Sequence, residues 1–402
     1  MPLNLVIVLV LLGGWFSGRL FRALRLPGVL GMLVCGIALG SLGPRVWPDG
    51  LVEMEPFLKT FALVVILLRA GLGIRRKVLN QVGGTALGLA VLPCLLEGGV
   101  LTLLLHAWWD FSWPIAAMTA FMLAAVSPAV VVPAMLDLTD KGFGKKKEVP
   151  TLILAGASID DVLAITLFAL FARMAVNPAA QWTSSLWELP RAVVLGILPG
   201  LAVGWLLAAM FRRHHHTVRA TEKTLILLMT GLLLVQAGDA LHSAALLGVM
   251  TVGFLLLERA EPVAHELAAK LGKIWIFAEI ILFVLIGMRV DPAFALRAGP
   301  AALGLLSLGL VARSIGVWLA TAPSSLNPRE RLFCVLAYLP KATVQAALGG
   351  VALSKGLPHG DAILALAVLS ILFTAPLGLI AIRLGGPRLL DAPFPSDPET
   401  TP

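Results

Sequence analysis

The chain has 402 residues, of which 58% are hydrophobic and only 13% are charged, and its formal net charge is +8. A soluble domain carries roughly twice that charged share, so the composition excludes an ordinary globular protein and indicates an all-α polytopic membrane protein. The membrane surface accounts for the basic excess, and no nucleic-acid partner is expected.

Apolar segments long enough to cross a bilayer recur from one end of the sequence to the other. We predict about thirteen transmembrane helices, with limits 3–18, 27–43, 57–74, 79–107, 113–136, 150–173, 186–211, 224–240, 242–257, 272–290, 298–322, 331–353 and 360–383. The residues after the last span are polar and rich in Pro, Asp and Thr, which predicts a disordered tail over 387–402.

The distribution of basic residues among the loops predicts the topology. Most Lys and Arg residues fall in loops on one side of the predicted membrane, among them the loop Lys141–Lys147. The positive-inside rule assigns these loops to the cytoplasm, so we expect an external N-terminus and a cytoplasmic C-terminus. The expected location is a bacterial inner membrane, with the chain crossing the lipid bilayer many times.

Two of the spans contain prolines that a simple helix would not tolerate. The fifth span contains Ser127 and Pro128, and the twelfth contains Pro340, Lys341 and Thr343. A break at membrane depth survives only where protein or a wet cavity satisfies the freed backbone groups. The breaks occupy matching places in the two halves of the chain, which is typical of an inverted-repeat transporter with a midplane site. The alternative is a pair of ordinary proline kinks.

Five charged residues are predicted deep within spans: Glu97, Asp160, Asp161, Arg313 and Lys341. A charge at the bilayer centre costs about 2.5–3.5 kcal/mol on insertion scales, so each of them requires a reason. Three are acids and two are bases, so internal pairing would leave one carboxylate over. A cation site needs such a carboxylate.

The adjacent acids Asp160 and Asp161 lie near the middle of the sixth span. Neighbouring helical residues point about 100° apart, so one carboxylate can face an ion cavity while the other faces a base. Carboxylate oxygens suit a hard cation such as Na⁺, and a buried carboxyl group can hold either a proton or a cation. Competition between the two ions at one site is antiport. The alternative is that both acids only pair with bases to hold helices together.

The two bases are expected to have different roles. Arg313 stays charged in proteins, so it cannot carry the proton, and Glu97 is its natural partner. Lys341 can lose its proton when buried, and we expect it to pair with Asp160 and to release that carboxylate as the ion arrives.

Several stretches of the sequence resemble a known family of transporters. Val126–Met135, Asp160–Thr166 and Leu339–Ala347 are similar to segments of the cation:proton antiporter superfamily, in particular the sodium/proton antiporters of its NHA subgroup. Arg69–Gly73 and Ser370–Leu377 fit as well, and the resemblance extends over nearly the whole chain. Glu97, Arg313 and Lys341 match charged positions of that subgroup.

The resemblance implies the NhaA-type antiporter fold, with inverted repeats and two crossed discontinuous helices. A core domain (78–176 and 298–386) would slide like an elevator against a dimerisation domain (1–77 and 224–297), with 186–211 as the linker helix. The resemblance also implies a homodimer without a cofactor, which exchanges Na⁺ or Li⁺ for H⁺. By the same resemblance, Asp160 and Asp161 are the expected ion ligands, and Asp161 is the principal one.

Other functions remain open at this point. The same fold suits a K⁺/H⁺ antiporter or an Na⁺-coupled organic-anion transporter, and a channel or a membrane scaffold is a further alternative. An enzyme is least favoured, because the sequence shows no nucleophile motif, no metal-spaced cluster and no phosphate loop.

Overall fold

The computed structural model describes residues 2–43, 48–73, 76–176, 182–214, 217–241, 245–289 and 292–391, and all regular structure within these ranges is helical. The first eight α-helices are α1 (Leu3–Ala23), α2 (Gly28–Gly40), α3 (Asp49–Gly73), α4 (Arg76–Trp109), α5 (Trp113–Ala124), α6 (Pro128–Asp140), α7 (Val149–Val176) and α8 (Trp182–Arg213). The next eight are α9 (Ala220–Leu241), α10 (Ala245–Arg259), α11 (Glu261–Met288), α12 (Pro292–Ala320), α13 (Pro328–Ala337), α14 (Thr343–Leu348), α15 (Val351–Ser354) and α16 (Gly360–Leu389). A short 3-10 helix, Lys145–Lys147, lies between α6 and α7.

Many of these helices have the length and composition of membrane spans. Among the described residues, 8 helical stretches are long and apolar enough to cross a bilayer. Shorter apolar helices are found at Gly28–Gly40, Trp113–Ala124, Val130–Thr139 and Thr343–Ser354. The chain is therefore an all-helical, multi-pass membrane protein, whereas the count of thirteen spans stays a prediction.

Some predicted limits differ from the structure at the helix ends. The span predicted to begin at 272 belongs to α11, which begins at Glu261 with a proline in its first turn. Proline and an acidic residue both favour a helix N-terminus. The tail predicted over 387–402 is wrong at its start, because α16 runs to Leu389. The amide of Gly144 then donates to the carbonyl of Asp391. Residues 392–402 lie outside the described residues.

Both predicted helix breaks are present. Helix α5 ends at Ala124, Ala125 is extended with ψ 139°, and Pro128 begins α6. Helix α13 ends at Ala337, and regular structure resumes only at Thr343, beyond Pro340. Proline cannot donate a backbone hydrogen bond, so neither helix continues through its break.

The helices pack into two neighbourhoods. Helices α4, α5, α7, α12, α13 and α16 contact one another around the two breaks, whereas α1, α2, α3, α10 and α11 form a second group. In the second group, α2 and α11 approach closely where Gly36 faces Gly287. A β-carbon built on Gly36 would lie 2.9 Å from the Cα atom of Gly287. Small residues allow such close contact between helices in membrane proteins.

Candidate functional site

The five predicted intramembrane charges are all buried in one region of the fold. Relative exposure is 1% for Glu97 on α4, 0% for Asp160 and 7% for Asp161 on α7, and 0% for both Arg313 on α12 and Lys341 in the second break. Burying a charge without a partner is costly, so the way in which these groups pair determines what the site can bind.

Arg313 lies at the centre of this cluster. Its Nη1 donates to Oε2 of Glu97 at 2.8 Å, and its Nη2 donates to Oδ2 of Asp160 at 2.9 Å. The predicted contact between Glu97 and Arg313 is therefore present. A guanidinium stays charged in proteins, so Arg313 is a permanent positive partner of both acids.

Lys341 pairs with Glu97. Its Nζ lies 2.9 Å from Oε1 and 2.9 Å from Oε2 of that carboxylate. The predicted pairing of Lys341 with Asp160 is wrong in this structure. Glu97 lies between the two bases and accepts from both, while Oδ2 of Asp160 already accepts from Arg313 and from the amide of Val126 at 3.0 Å.

Asp161 is the carboxylate that this pairing leaves over. Its Oδ1 is buried and has no hydrogen-bond partner within the described part of the chain. It lines a cavity of about 20 Å³ together with Thr343, and the remaining wall is apolar and comes mainly from α3, with Ile165 of α7, Met250 of α10 and Val344 of α14. That volume is sufficient for about one water molecule. The Oγ1 of Thr343 is likewise buried and without a partner among the described residues.

The backbone groups freed at the first break are satisfied by side chains from other helices. The last four carbonyl groups of a helix lack partners within it. Here Arg313 donates to the carbonyl of Ala124. The side-chain amide of Gln345 lies 2.9, 3.3 and 3.0 Å from three further carbonyl oxygens, those of Met122, Leu123 and Ala125. Protein side chains therefore satisfy these carbonyl groups at the break.

The two breaks contact each other directly. The amide of Ser127 donates to the carbonyl of Pro340 at 2.8 Å. Arg313 contacts the second break as well, because its Nε donates to the carbonyl of Tyr338 at 2.7 Å. The amide of Lys341 donates to Oγ1 of Thr374 on α16 at 2.9 Å. One arginine thus binds the carbonyl ends of both interrupted helices.

The charges and the breaks are predictable from the sequence, whereas three residues that hold them in place were not predicted. Gln345 satisfies the end of α5, Thr374 accepts from the second break, and the carbonyl of Tyr338 accepts from Arg313. Uncharged polar residues in apolar spans were the available signal, because buried polar groups require partners. Ser127, predicted at the first break, has a buried Oγ that finds no partner among the described residues.

One known protein family matches the part of the sequence that contains this whole site. The family described as "Sodium/hydrogen exchanger, transmembrane" matches residues 7–383, which include both breaks and every buried charge discussed above. The chain belongs to this family. It is accordingly a transporter and not an enzyme, and the transported ions are its substrates.

Individual sodium/hydrogen exchangers and a solved antiporter structure are also similar to this chain. Human sodium/hydrogen exchanger 9B2 is 33% identical over 384 residues, which cover 91% of this chain and 70% of that protein. Human sodium/hydrogen exchanger 9B1 is 28% identical over 398 residues, which cover 93% of this chain and 76% of the relative. The sodium proton antiporter MjNhaP1 from Methanocaldococcus jannaschii has a TM-score of 0.79 at 19% identity, covering 97% of this chain and 99% of that one. This last likeness shows the fold alone.

Proposed function

We propose that the protein exchanges Na⁺ or Li⁺ for H⁺ across the membrane, with cation and proton competing for a site formed by Asp160 and Asp161. One observation carries the proposal. Three buried acids face two buried bases, and the acid without a base, Asp161, lines the cavity between the two helix neighbourhoods.

The chemistry of the surrounding groups supports a small hard cation. Hydroxyl and carboxylate oxygens are the ligands that such ions prefer. The oxygen atoms in this region that are buried and without a hydrogen-bond partner among the described residues include Oδ1 of Asp160, Oδ1 of Asp161, Oγ of Ser127 and Oγ1 of Thr343. Asp161 is the principal ligand in this proposal, because Arg313 already neutralises Asp160.

The proposed movement is of the elevator type. The core domain (78–176 and 298–386) carries the five clustered charges and both breaks, and the dimerisation domain (1–77 and 224–297) carries the apolar wall contributed by α3 and Met250. Sliding of one domain against the other, linked by 186–211, would expose Asp161 to each side in turn. The contact between Ser127 and Pro340 supports movement of both breaks as one body.

We further propose that the chain has thirteen membrane spans, arranged as the inverted repeats of the NhaA-type fold. We also propose that it forms a homodimer. The membrane is a bacterial inner membrane, with the N-terminus outside and the C-terminus in the cytoplasm. The asymmetric distribution of Lys and Arg among the loops supports this orientation.

Reconstitution of the purified protein into proteoliposomes tests the exchange. A pH-sensitive dye inside the vesicles reports proton movement when Na⁺, Li⁺, K⁺ or choline is added outside. We expect proton movement with Na⁺ or Li⁺ and none with choline. Proton movement with K⁺ alone would favour a K⁺/H⁺ antiporter. Uptake of a labelled organic anion driven by Na⁺, without proton exchange, would overturn the proposal.

A further inference from the structure

Gln345, which belongs to the second interrupted helix, hydrogen-bonds to the backbone at the end of the first. It lies on α14, just after the second break, and its side chain is fully buried with 0% exposure. The side-chain nitrogen is 2.9 Å from the carbonyl oxygen of Met122, 3.3 Å from that of Leu123 and 3.0 Å from that of Ala125. Met122 and Leu123 lie in the last turn of α5 and Ala125 follows it directly, more than two hundred residues earlier in the chain.

The acceptors fix the orientation of this amide. An asparagine or glutamine side chain has an NH₂ donor and a carbonyl acceptor, and their assignment follows from their partners. Three backbone carbonyls can only accept, so the NH₂ group of Gln345 must face α5. No apolar side chain could replace these bonds, and a carboxylate in the same place would face three carbonyl oxygens. The residue type is therefore specific to this position.

The backbone that Gln345 fixes leads directly into the ion site. Ala125 is followed by Val126, whose amide donates to Oδ2 of Asp160 at 3.0 Å. The next amide, of Ser127, donates to the carbonyl of Pro340 in the second break. A shift of the α5 terminus would therefore change the position of Asp160, the neighbour of Asp161 on α7.

We infer that Gln345 is a positioning residue for the cation site, because its amide fixes the α5 terminus and, through the backbone of Val126, the carboxylate of Asp160. The inference rests on the proposed function, since it assigns the effect to cation affinity. Gln345 contacts no ion in this account and acts only through the backbone of the first break.

The test compares Gln345→Met with a control in α5, the helix whose terminus Gln345 contacts. Methionine keeps the length and approximate volume of the side chain but cannot donate a hydrogen bond. The control is Thr119→Val, because Thr119 is also fully buried and its hydroxyl donates to the carbonyl of Ile115 within α5 at 2.8 Å, away from the break. Both variants lose one buried polar group.

We expect Gln345→Met to raise the apparent KM for Na⁺ about ten-fold, because the variant loses a buried hydrogen-bonding group that shapes the site. Thr119→Val should leave KM unchanged even if both variants melt at lower temperature. If Gln345→Met does not fold, Gln345→Asn serves in its place, since it keeps the amide but is one methylene shorter. An unchanged KM in the folded variant would overturn the inference.

A second measurement does not depend on transport. Hydrogen–deuterium exchange of the backbone amides over 121–131, in detergent, should become faster in Gln345→Met and stay at the wild-type rate in Thr119→Val. Unchanged protection of these amides in Gln345→Met would overturn the inference about Gln345 but would not contradict the proposed exchange of cation for proton. Absence of cation-driven proton movement in the wild type would instead overturn the proposed function, and the amide exchange would still report on the break.

Discussion

The Nη2 of Arg313 lies 2.9 Å from Oδ2 of Asp160, and both side chains have no solvent exposure. This contact gives the two adjacent acids Asp160 and Asp161 different roles. Asp160 has a permanent positive partner, whereas Asp161 has none among the described residues and borders the cavity. The proposed exchange of proton for cation therefore depends on Asp161.

The contact between Glu97 and Arg313 predicts strong coupling of their substitutions. Removing one partner of a buried pair leaves an uncompensated charge and typically costs about 3–5 kcal/mol. We expect Arg313→Ala to lower the melting temperature markedly. Glu97→Gln combined with Arg313→Ala should lose less than the sum of the two single effects, because each single variant already removes the direct contact between Glu97 and Arg313.

The melting temperatures of the four proteins in this cycle are measured by thermal unfolding in detergent. Arg313 also binds the carbonyls of Ala124 and Tyr338, so the double variant should not recover the wild-type temperature. Strictly additive effects would contradict the direct contact that the structure shows.

A second ionic cluster predicts a stability effect away from the ion site. The carboxylate of Glu55, on a side chain 5% exposed, lies 2.7 Å from Nζ of Lys59 and also pairs with Arg289. Glu55→Gln would remove the charge of a buried carboxylate that Lys59 and Arg289 share, so we expect a lower melting temperature. Asp137→Asn is the matched control, because Asp137 pairs with Lys141 at 2.6 Å but is 57% exposed. Equal effects in the two variants would show that burial of Glu55 does not matter.

The sequence was sufficient for the features that follow from charge and proline. Prolines in apolar spans located both breaks, and the balance of three acids against two bases predicted a carboxylate left over. The partner of Lys341 could not be predicted in the same way. Charge balance gives the number of pairs, whereas the position of Glu97 between two bases depends on how α4 packs beside α12.

The contacts of Gln345 and Thr374 could not be predicted from the sequence, for a related reason. Their partners are backbone groups, and any residue type offers the same carbonyl or amide. The acceptors of Gln345 lie in α5, on a different helix far away in the sequence, so no local spacing indicates the contact. Uncharged polar residues also occur in spans for packing, which makes them weak signals when they are considered alone.

The orientation of the protein can be checked by labelling. We expect Lys145→Cys, at an exposed position between α6 and α7, to react with a membrane-impermeant thiol reagent only from the cytoplasmic side. Lys355→Cys, exposed after α15, is the control for the opposite face. Both substitutions are made in a Cys35→Ser background, because Cys94 and Cys334 are buried. Reaction of Lys145→Cys from outside only would reverse the proposed topology.

The competition of two ions for one carboxylate predicts a pH effect on affinity. Lower pH favours the protonated form of Asp161, so more cation is needed to displace the proton. We therefore expect the apparent KM for Na⁺ or Li⁺ to rise as pH falls, and the maximal rate at saturating cation to change less. Cation-dependent proton movement in proteoliposomes at several pH values measures this. A KM that is constant across the neutral range would contradict the single-site mechanism.

Asp160→Asn provides the comparison for the central residue. Asparagine can still accept a hydrogen bond at its side-chain oxygen from Arg313 or Val126, although it loses the negative charge. We expect exchange that is weak or altered in this variant, together with a lower melting temperature because Arg313 loses part of its compensation.

Asp161→Asn tests the account most directly. Neutral asparagine costs less to bury than aspartate, so the variant should fold and reconstitute at wild-type levels. Proton movement driven by an Na⁺ or Li⁺ gradient is then measured in proteoliposomes that contain equal amounts of wild-type and variant protein. We predict that Asp161→Asn abolishes this movement in both directions, whereas near-normal exchange in the folded variant would contradict the assignment of Asp161 as the shared site of cation and proton.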